Sequence, residues 1–328
     1  MQSVKKHVTH CKHPKREEII MKQLLVTCVV LALLASTSVA DDSKAPLSND
    51  QQARLSELEK ILMDSHADIG VRLRAAREVA ALTNTDVFEV AQRIERLQPR
   101  LRHGEMANHL ACFNLFEEKP LAVQHLYETA YGLLEARISA SYSDLSDDRT
   151  IQRICREIGM THFGGPMLGA VTSDGARVWV RTLRPGKITV QVMVDGKEET
   201  YGPVESTKES HLTAIVRVTG LKPDTSYVYR VLVDDMPIKM PETAELVTAP
   251  ENGKVRIAFG SCSHRWGVGN PALSATIRSR HPAAMLLIGD IAAQDRNNHI
   301  GLHRSDYLMR DLQPSWQDLV ATVPVYAT

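Results

Sequence analysis

The sequence predicts a multidomain chain: an N-terminal α-helical bundle, then an antiparallel β-sandwich, then a parallel α/β section. Three observations carry this division. Between residues 48 and 160, apolar residues recur at helical spacing. Between 164 and 249, short stretches alternate apolar and polar residues and are punctuated by Asp-Gly turns. From 254 onward, short apolar runs ending in glycine alternate with helical segments, the pattern of strand–helix–strand crossovers in a parallel sheet. The expected divisions are a leader at 1–40, a helical region at 41–160, the sandwich at 164–249 and the α/β part at 254–328. A chain of 328 residues is longer than one ordinary domain, which agrees with this partition.

Charge excludes one large class of function. Lysine plus arginine and aspartate plus glutamate each number 39, and no basic stripe stands out, so nothing points to nucleic acid.

The leader has the parts of a secretory signal peptide. Met21-Lys22 supplies the positive start, residues 24–34 the apolar run, and Val39-Ala40 the small-residue end before Asp41-Asp42. The apolar run is too short for a stable transmembrane segment. Glu17 and Glu18 do not suit the start of such a leader, so the signal is read from Met21, with cleavage after Ala40 and a secreted or periplasmic product. Residues 1–20 then form an upstream extension. Its His7, His10, Cys11 and His13 include metal-ligand types, but no apolar frame surrounds them.

Removing the leader leaves Cys112, Cys155 and Cys262, an odd number for an exported chain. Cys112 and Cys155 fall in helical sequence, where a thiol acts as a small core hydrophobe; a bridge between them also fits the sequence. Cys262 falls in a loop.

In the helical region, Leu55, Leu58, Ile61 and Leu62 mark one helix, and Val71, Leu73, Ala76, Val79 and Ala80 the next. Pro120 opens a later helix whose apolar face is Val123, Leu126, Tyr127, Ala130, Leu133 and Leu134. A bundle of four to six helices is expected. His66, His103, His109 and His125 stand alone, without a second ligand at helical spacing, and read as surface or core residues.

In the β region, Ile188, Val190, Val192 and Val194 alternate and lead into Asp195-Gly196, a type I′ hairpin signal. Trp179 reads as a buried core aromatic. Leu221, Pro223, Thr225, Tyr227, Tyr229 and Val231 form a spaced string that resembles the corner between two strands of fibronectin type III domains. That resemblance implies that the Tyr227 hydroxyl caps nearby backbone.

The α/β part places two chemically active residues at strand ends. The run at 255–259 stops at Gly260-Ser261-Cys262, and the run at 285–288 stops at Gly289-Asp290. Pro271 opens the intervening helix, His281-Pro282 closes it, and residues 323–326 read as a third strand. Ligands bind beyond the carboxyl ends of such strands. A thiolate and a carboxylate there suit metal binding. The plainer alternative is that Asp290 caps a turn and Cys262 is buried and inert. Arg265, in the loop after Cys262, has the planar donors that suit phosphate binding. Asn297, Asn298, His299 and His303 read as a loop and helix face.

Residues 165–182, from Gly165-Pro166-Met167 to Trp179-Val180-Arg181-Thr182, resemble the opening of the β domain in PhoD-type alkaline phosphatases. Phe259-Gly260-Ser261-Cys262 and Leu287-Ile288-Gly289-Asp290 resemble that family's first two metallophosphoesterase motifs. The resemblance covers about residues 164–328 and leaves out the helical region. It implies a fibronectin III-like β-sandwich leading a metallophosphoesterase domain that hydrolyses phosphate mono- or diesters. It also implies iron and calcium as cofactors, with Cys262 and Asp290 as ligands. Many members carry a further tyrosine ligand three residues after that aspartate. Here the position is Ala293, and Asp295 is the group expected to take over. The family's next motif, a Trp-Asp-Asp-His-Asp-like segment, would follow Thr328, so the expectation is a C-terminally truncated and inactive chain. The competing expectation is a non-enzymatic exported binding or scaffold protein that uses the sandwich and the helical region.

Overall fold

The computed structural model describes residues 47–91, 93–94, 106–261, 269–289, 291 and 296–328. The leader, with its expected start at Met21 and cleavage after Ala40, lies outside the described residues. Among those described, no helix is long and apolar enough to cross a membrane.

The helical region builds two small cores instead of one bundle. The first comes from α1 (Asn49–Met63), α2 (Ile69–Thr83), α3 (Val87–Ala91) and α4 (Met106–Phe113). Leu58, Leu62, Leu73, Ala76 and Val79 are buried there, as their spacing predicts. Asp68 starts α2 by accepting from the Gly70 and Val71 N–H groups. Asn84 ends it in the left-handed conformation, at φ 50°, donating its N–H to Ala80.

The second core joins α5 (Leu121–Glu135), α6 (Tyr142–Asp147) and α7 (Arg149–Glu157). It also takes in Phe163 and a helix from the far end of the chain, described below as α9. Helices of five and six residues, such as α3 and α6, cannot form a long bundle seam, which is why the packing divides. Cys112 and Cys155 are buried and not bridged to each other. Burial pushes the Cys155 thiol up to about 11, so it stays protonated and acts as the core hydrophobe its position predicts.

Lys119 sits at the start of this second core and is only 5% exposed. Its Nζ donates to the Glu117 carbonyl at 2.9 Å and the Phe113 carbonyl at 3.2 Å. Burial lowers its pKa to about 8, against the opposing charge of Glu117. Between pH 8 and the ordinary lysine value the unfolded chain keeps a proton that the native chain has released, so this group makes stability rise with pH. The window corresponds to an order-of-magnitude gain of ~3 kcal/mol. Lys119→Met is expected to remove that rise. Urea midpoints of the two proteins at neutral and alkaline pH would check it; an unchanged difference between them would contradict the account.

The β region is a sandwich. One sheet has the order β1 (His162–Gly169), β2 (Gly175–Thr182), β5 (Thr213–Thr219), all antiparallel. The other has the order β4 (Lys197–Ser206), β3 (Gly186–Val194), β7 (Tyr229–Val233), β8 (Met236–Pro237). A short pair, β6 (Ser226–Tyr227) with β9 (Leu246–Val247), completes it. Val178 and Val180 from the first sheet and Ile188, Val190, Val192 and Val231 from the second share one core. The Asp195-Gly196 turn has φ of 49° and 78°, both left-handed, between the paired Val194 and Lys197. The Tyr227 hydroxyl accepts the Lys222 N–H at 2.8 Å, the corner that the spaced string predicts.

Trp179 corrects one expectation. Strand β2 turns Val178 and Val180 inward, so Trp179 and Arg181 share the outer face and are only half-buried. The period of two, applied strictly, excludes Trp179 from the sandwich core.

The last section is a three-stranded parallel sheet, β10 (Ile257–Gly260), β11 (Ala284–Leu287), β12 (Val325–Ala327), in that order. Between strands lie α8 (Pro271–Ser279), α9 (Ile300–Asp311) and α10 (Pro314–Val320). Asn270 caps α8 ahead of Pro271. Met285 and Leu287 pack on Trp316, Leu319 and Val320 of α10. The opposite face is open: Phe259 is 75% exposed, Ile288 49% and Ile257 40%. The apolar runs here predict strands buried on both faces, as parallel sheets usually are. Among the described residues only one face is covered.

Candidate active site at the strand ends

Strands β10 and β11 end level with each other. Gly260 pairs with Leu287, and the Ile288 N–H donates to the Gly260 carbonyl at 2.9 Å. Gly289 then turns the chain with φ 91°, a conformation that only glycine adopts without strain. No neighbour crowds its missing Cβ, so conformation and not space requires glycine here. Cys262 follows the last residue of β10 by two positions, and Asp290 follows Gly289 directly. Cys262, Arg265, Asp290 and Asp295 all lie outside the described residues, as does Ala293. Among the described residues, no three His, Cys, Asp or Glu side chains gather to hold a metal. As a donor set, one thiolate with two carboxylates fits a mixed centre. Thiolate sulfur suits softer metals and carboxylate oxygen harder ones.

Beside these strand ends lies a cavity of about 400 Å³. Leu287, Ile291 and Ala327 form its wall on the sheet side. Trp179 and Arg181 face it from β2, and Arg304 and Arg310 from α9. Behind it, Asp311 is 2% exposed; its Oδ1 accepts from Arg310 Nε at 2.9 Å and Nη2 at 2.7 Å. Its Oδ2 has no hydrogen bond and lies 3.9 Å from Arg181 Nη1.

His162 is buried close to this carboxylate. Its Nε2 donates to the Gly165 carbonyl at 2.7 Å, which leaves Nδ1 to accept from the Thr161 hydroxyl at 2.9 Å. Burial lowers its pKa, while the Gly165 bond and the Asp311 charge work in the opposite direction. The ring is therefore neutral and structural. His299 is also structural: it caps α9, accepting the Leu302 N–H on Nδ1 and donating from Nε2 to the Glu135 carbonyl.

The comparisons with known proteins are narrow. A family model described as a domain of unknown function (DUF7800) matches residues 161–251. This span holds all nine strands from β1 to β9. No curated protein matches the sequence. A solved structure of PhoD is similar over 51% of this chain, with 14% identity and a TM-score of 0.42. The matched region spans 38% of that structure's own length. A carbohydrate acetylesterase from Xanthomonas citri is similar over 34% of this chain and 26% of its own, with 20% identity and a TM-score of 0.19.

Sequence reasoning missed the three cavity arginines. One signal was present. Trp179 and Arg181 alternate with two valines on β2, and Arg304, Tyr307 and Asp311 fall at helical spacing on one side of α9. What a sequence does not show is that these two faces meet.

Proposed function

We propose that this chain carries the metal-binding strand ends of an exported phosphate-ester hydrolase. The observation that supports it most is the parallel, level pairing of β10 and β11, followed by the left-handed turn at Gly289. Neighbouring parallel strands deliver their following residues to the same sheet edge, where α/β proteins bind ligands. In this reading Cys262, Asp290 and Asp295 would hold the metal ions, iron and calcium. Cations held there would supply Lewis acidity toward the phosphoryl oxygens. Arg265 orients the ester oxygens through its planar donors. Residues 164–249, as a fibronectin III-like sandwich, form a platform, and 254–328 the first part of a metallophosphoesterase domain. The signal peptide beginning at Met21 places the product outside the cytoplasm.

Metal analysis of the purified chain tests this. The wild type is expected to retain iron or calcium, and Cys262→Ser and Asp290→Asn to weaken its retention by at least ~10-fold. Hydrolysis of nitrophenyl phosphate mono- and diesters is measured on the same samples. Equal metal content in all three proteins would sink the reading.

The open sheet face supports a second reading, a non-enzymatic exported binding or scaffold protein. Phe259 and Ile288 form an exposed apolar surface of the kind that docks partners. A stably folded chain without metal in any of the three proteins would favour it.

A further inference from the structure

We propose that the cavity between β2, α9 and the end of β11 is a preformed oxyanion site that takes the dianionic phosphoryl group of a phosphate monoester. This rests on the phosphate-ester reading for the identity of the ligand, and names the part of the chain that would hold it. It also supplies a preference, monoester over diester, that the strand-end residues alone do not give.

The cavity's charge is the first argument. Three guanidiniums, Arg181, Arg304 and Arg310, line it. The one carboxylate bonded to this set, Asp311, is engaged by Arg310 through a single oxygen. The described lining therefore keeps an excess of two positive charges. A phosphate monoester carries about −1.5 to −2 near neutral pH, whereas a diester carries only one charge. The match favours the monoester.

Preorganisation is the second argument. Each guanidinium is held before any ligand arrives. Arg181 lies with its central carbon 3.8 Å from the Tyr142 ring centroid and 5.1 Å from that of Trp179. Arg310 is sandwiched in the same way, 4.8 Å from Tyr307 and 4.5 Å from Trp316. Arg304 is fixed through Nη1, which donates to the carbonyls of Ser139 at 3.1 Å and Ala140 at 2.6 Å. Stacking occupies the faces of Arg181 and Arg310; Arg181 keeps its in-plane Nε to bind, while Arg310, held by Asp311 through Nε and Nη2, offers Nη1. Arg181 Nε is buried and has no hydrogen-bond partner. A buried donor without a partner is costly, and an oxyanion in the cavity would supply one.

Size is the third. At about 400 Å³ the cavity exceeds what a phosphoryl group needs. It falls within the range of small-molecule sites, roughly 300–1,000 Å³. Leu287, Ile291 and Ala327 offer the remaining space to an apolar organic body.

The test is anion binding by the full chain in EDTA, read by tryptophan fluorescence, since Trp179 and Trp316 both line the cavity. Inorganic phosphate, phenyl phosphate and diphenyl phosphate are the probes. Phenyl phosphate is expected to bind saturably and at least ~10-fold more tightly than diphenyl phosphate. Inorganic phosphate binding as tightly as phenyl phosphate would assign the site to the free anion and overturn the ester. Arg181→Gln and Arg304→Gln are each expected to weaken binding by ~10-fold or more, and Arg230→Gln, on the exposed side of the other sheet, to leave it unchanged. The selectivity measured on the wild type stands even if a variant folds poorly. No saturable binding in EDTA, or equal binding of mono- and diester, overturns the proposal. Because no metal is needed, its failure is separable from that of the metal-centre reading, which metal content and turnover decide.

Discussion

Replacing Asp306 by alanine is expected to cost about 3–5 kcal/mol of stability. Asp306 lies on α9 and is fully buried, and Arg296, just before that helix, is 2% exposed. The pair is bidentate: Arg296 Nε reaches Oδ2 at 2.9 Å and Nη2 reaches Oδ1 at 2.6 Å. Two charges taken out of water gain little net stability together, because desolvation consumes most of the attraction. Removing Asp306 is different, since it takes away the carboxylate that both of these Arg296 bonds reach and leaves a buried guanidinium poorly compensated. The exposed pair Lys222–Asp195 provides the contrast. Its separation is also short, at 2.7 Å, but its side chains are 63% and 68% exposed. Lys222→Ala is thus expected to cost little through that pair, because solvent screens it. Urea denaturation of both variants decides the matter. The double replacement Arg296→Met with Asp306→Leu should recover most of the loss, because no charge is then left without its counterpart. A single Asp306→Ala variant as stable as the wild type would show that the pair is open to water.

How much of this was legible in the sequence depends on the range of the interaction. Local chemistry was readable. Asp195-Gly196 gave its hairpin, Pro271 its helix start, and Tyr227 its hydrogen bond to Lys222. The parallel order of β10, β11 and β12 followed from apolar runs broken by glycine and joined by helices. What failed was the choice of partner for a surface. A tryptophan in a β region reads as core, but its neighbours Val178 and Val180 fill the inner face and leave Trp179 on the outer one. The outer face of β2 meets α9, more than a hundred residues later, and no local pattern records that meeting. The arginine-lined cavity is a product of it. Helix α9 itself looks like an ordinary crossover helix of the α/β part. Its apolar side, Leu302, Leu308 and Met309, is instead buried with α5 and α6 in the helical core. The metal-ligand candidates Cys262, Asp290 and Asp295 stand as sequence readings.

Gly301→Ala is the second large effect, expected at about 3 kcal/mol of destabilisation. In an ordinary helix the change gains stability, because alanine is better than glycine by about 1 kcal/mol. Here the surroundings reverse the sign. Gly301 is in the first turn of α9, where its N–H donates to the Ile138 carbonyl at 2.9 Å. A Cβ at this position would fall within 3.0 Å of the carbonyl oxygens of Leu134, in the last turn of α5, and Arg137, just past its end. Those are backbone atoms and cannot rotate aside as a side chain would. The helices must therefore separate, and Leu134 and Leu302, both fully buried, would lose contact in the core they share. Gly132, within α5 itself, supplies the matched control. Nothing lies within 4 Å of its missing Cβ, and it is exposed. Gly132→Ala is expected to stabilise by roughly 0.5–1 kcal/mol. The same substitution, made at the contact itself and two residues before Leu134 on α5, should then move the urea midpoint in opposite directions. If both variants shift it upward, α9 does not rest on α5 as described, and the junction that places Arg304 and Arg310 opposite β2 would lose its support.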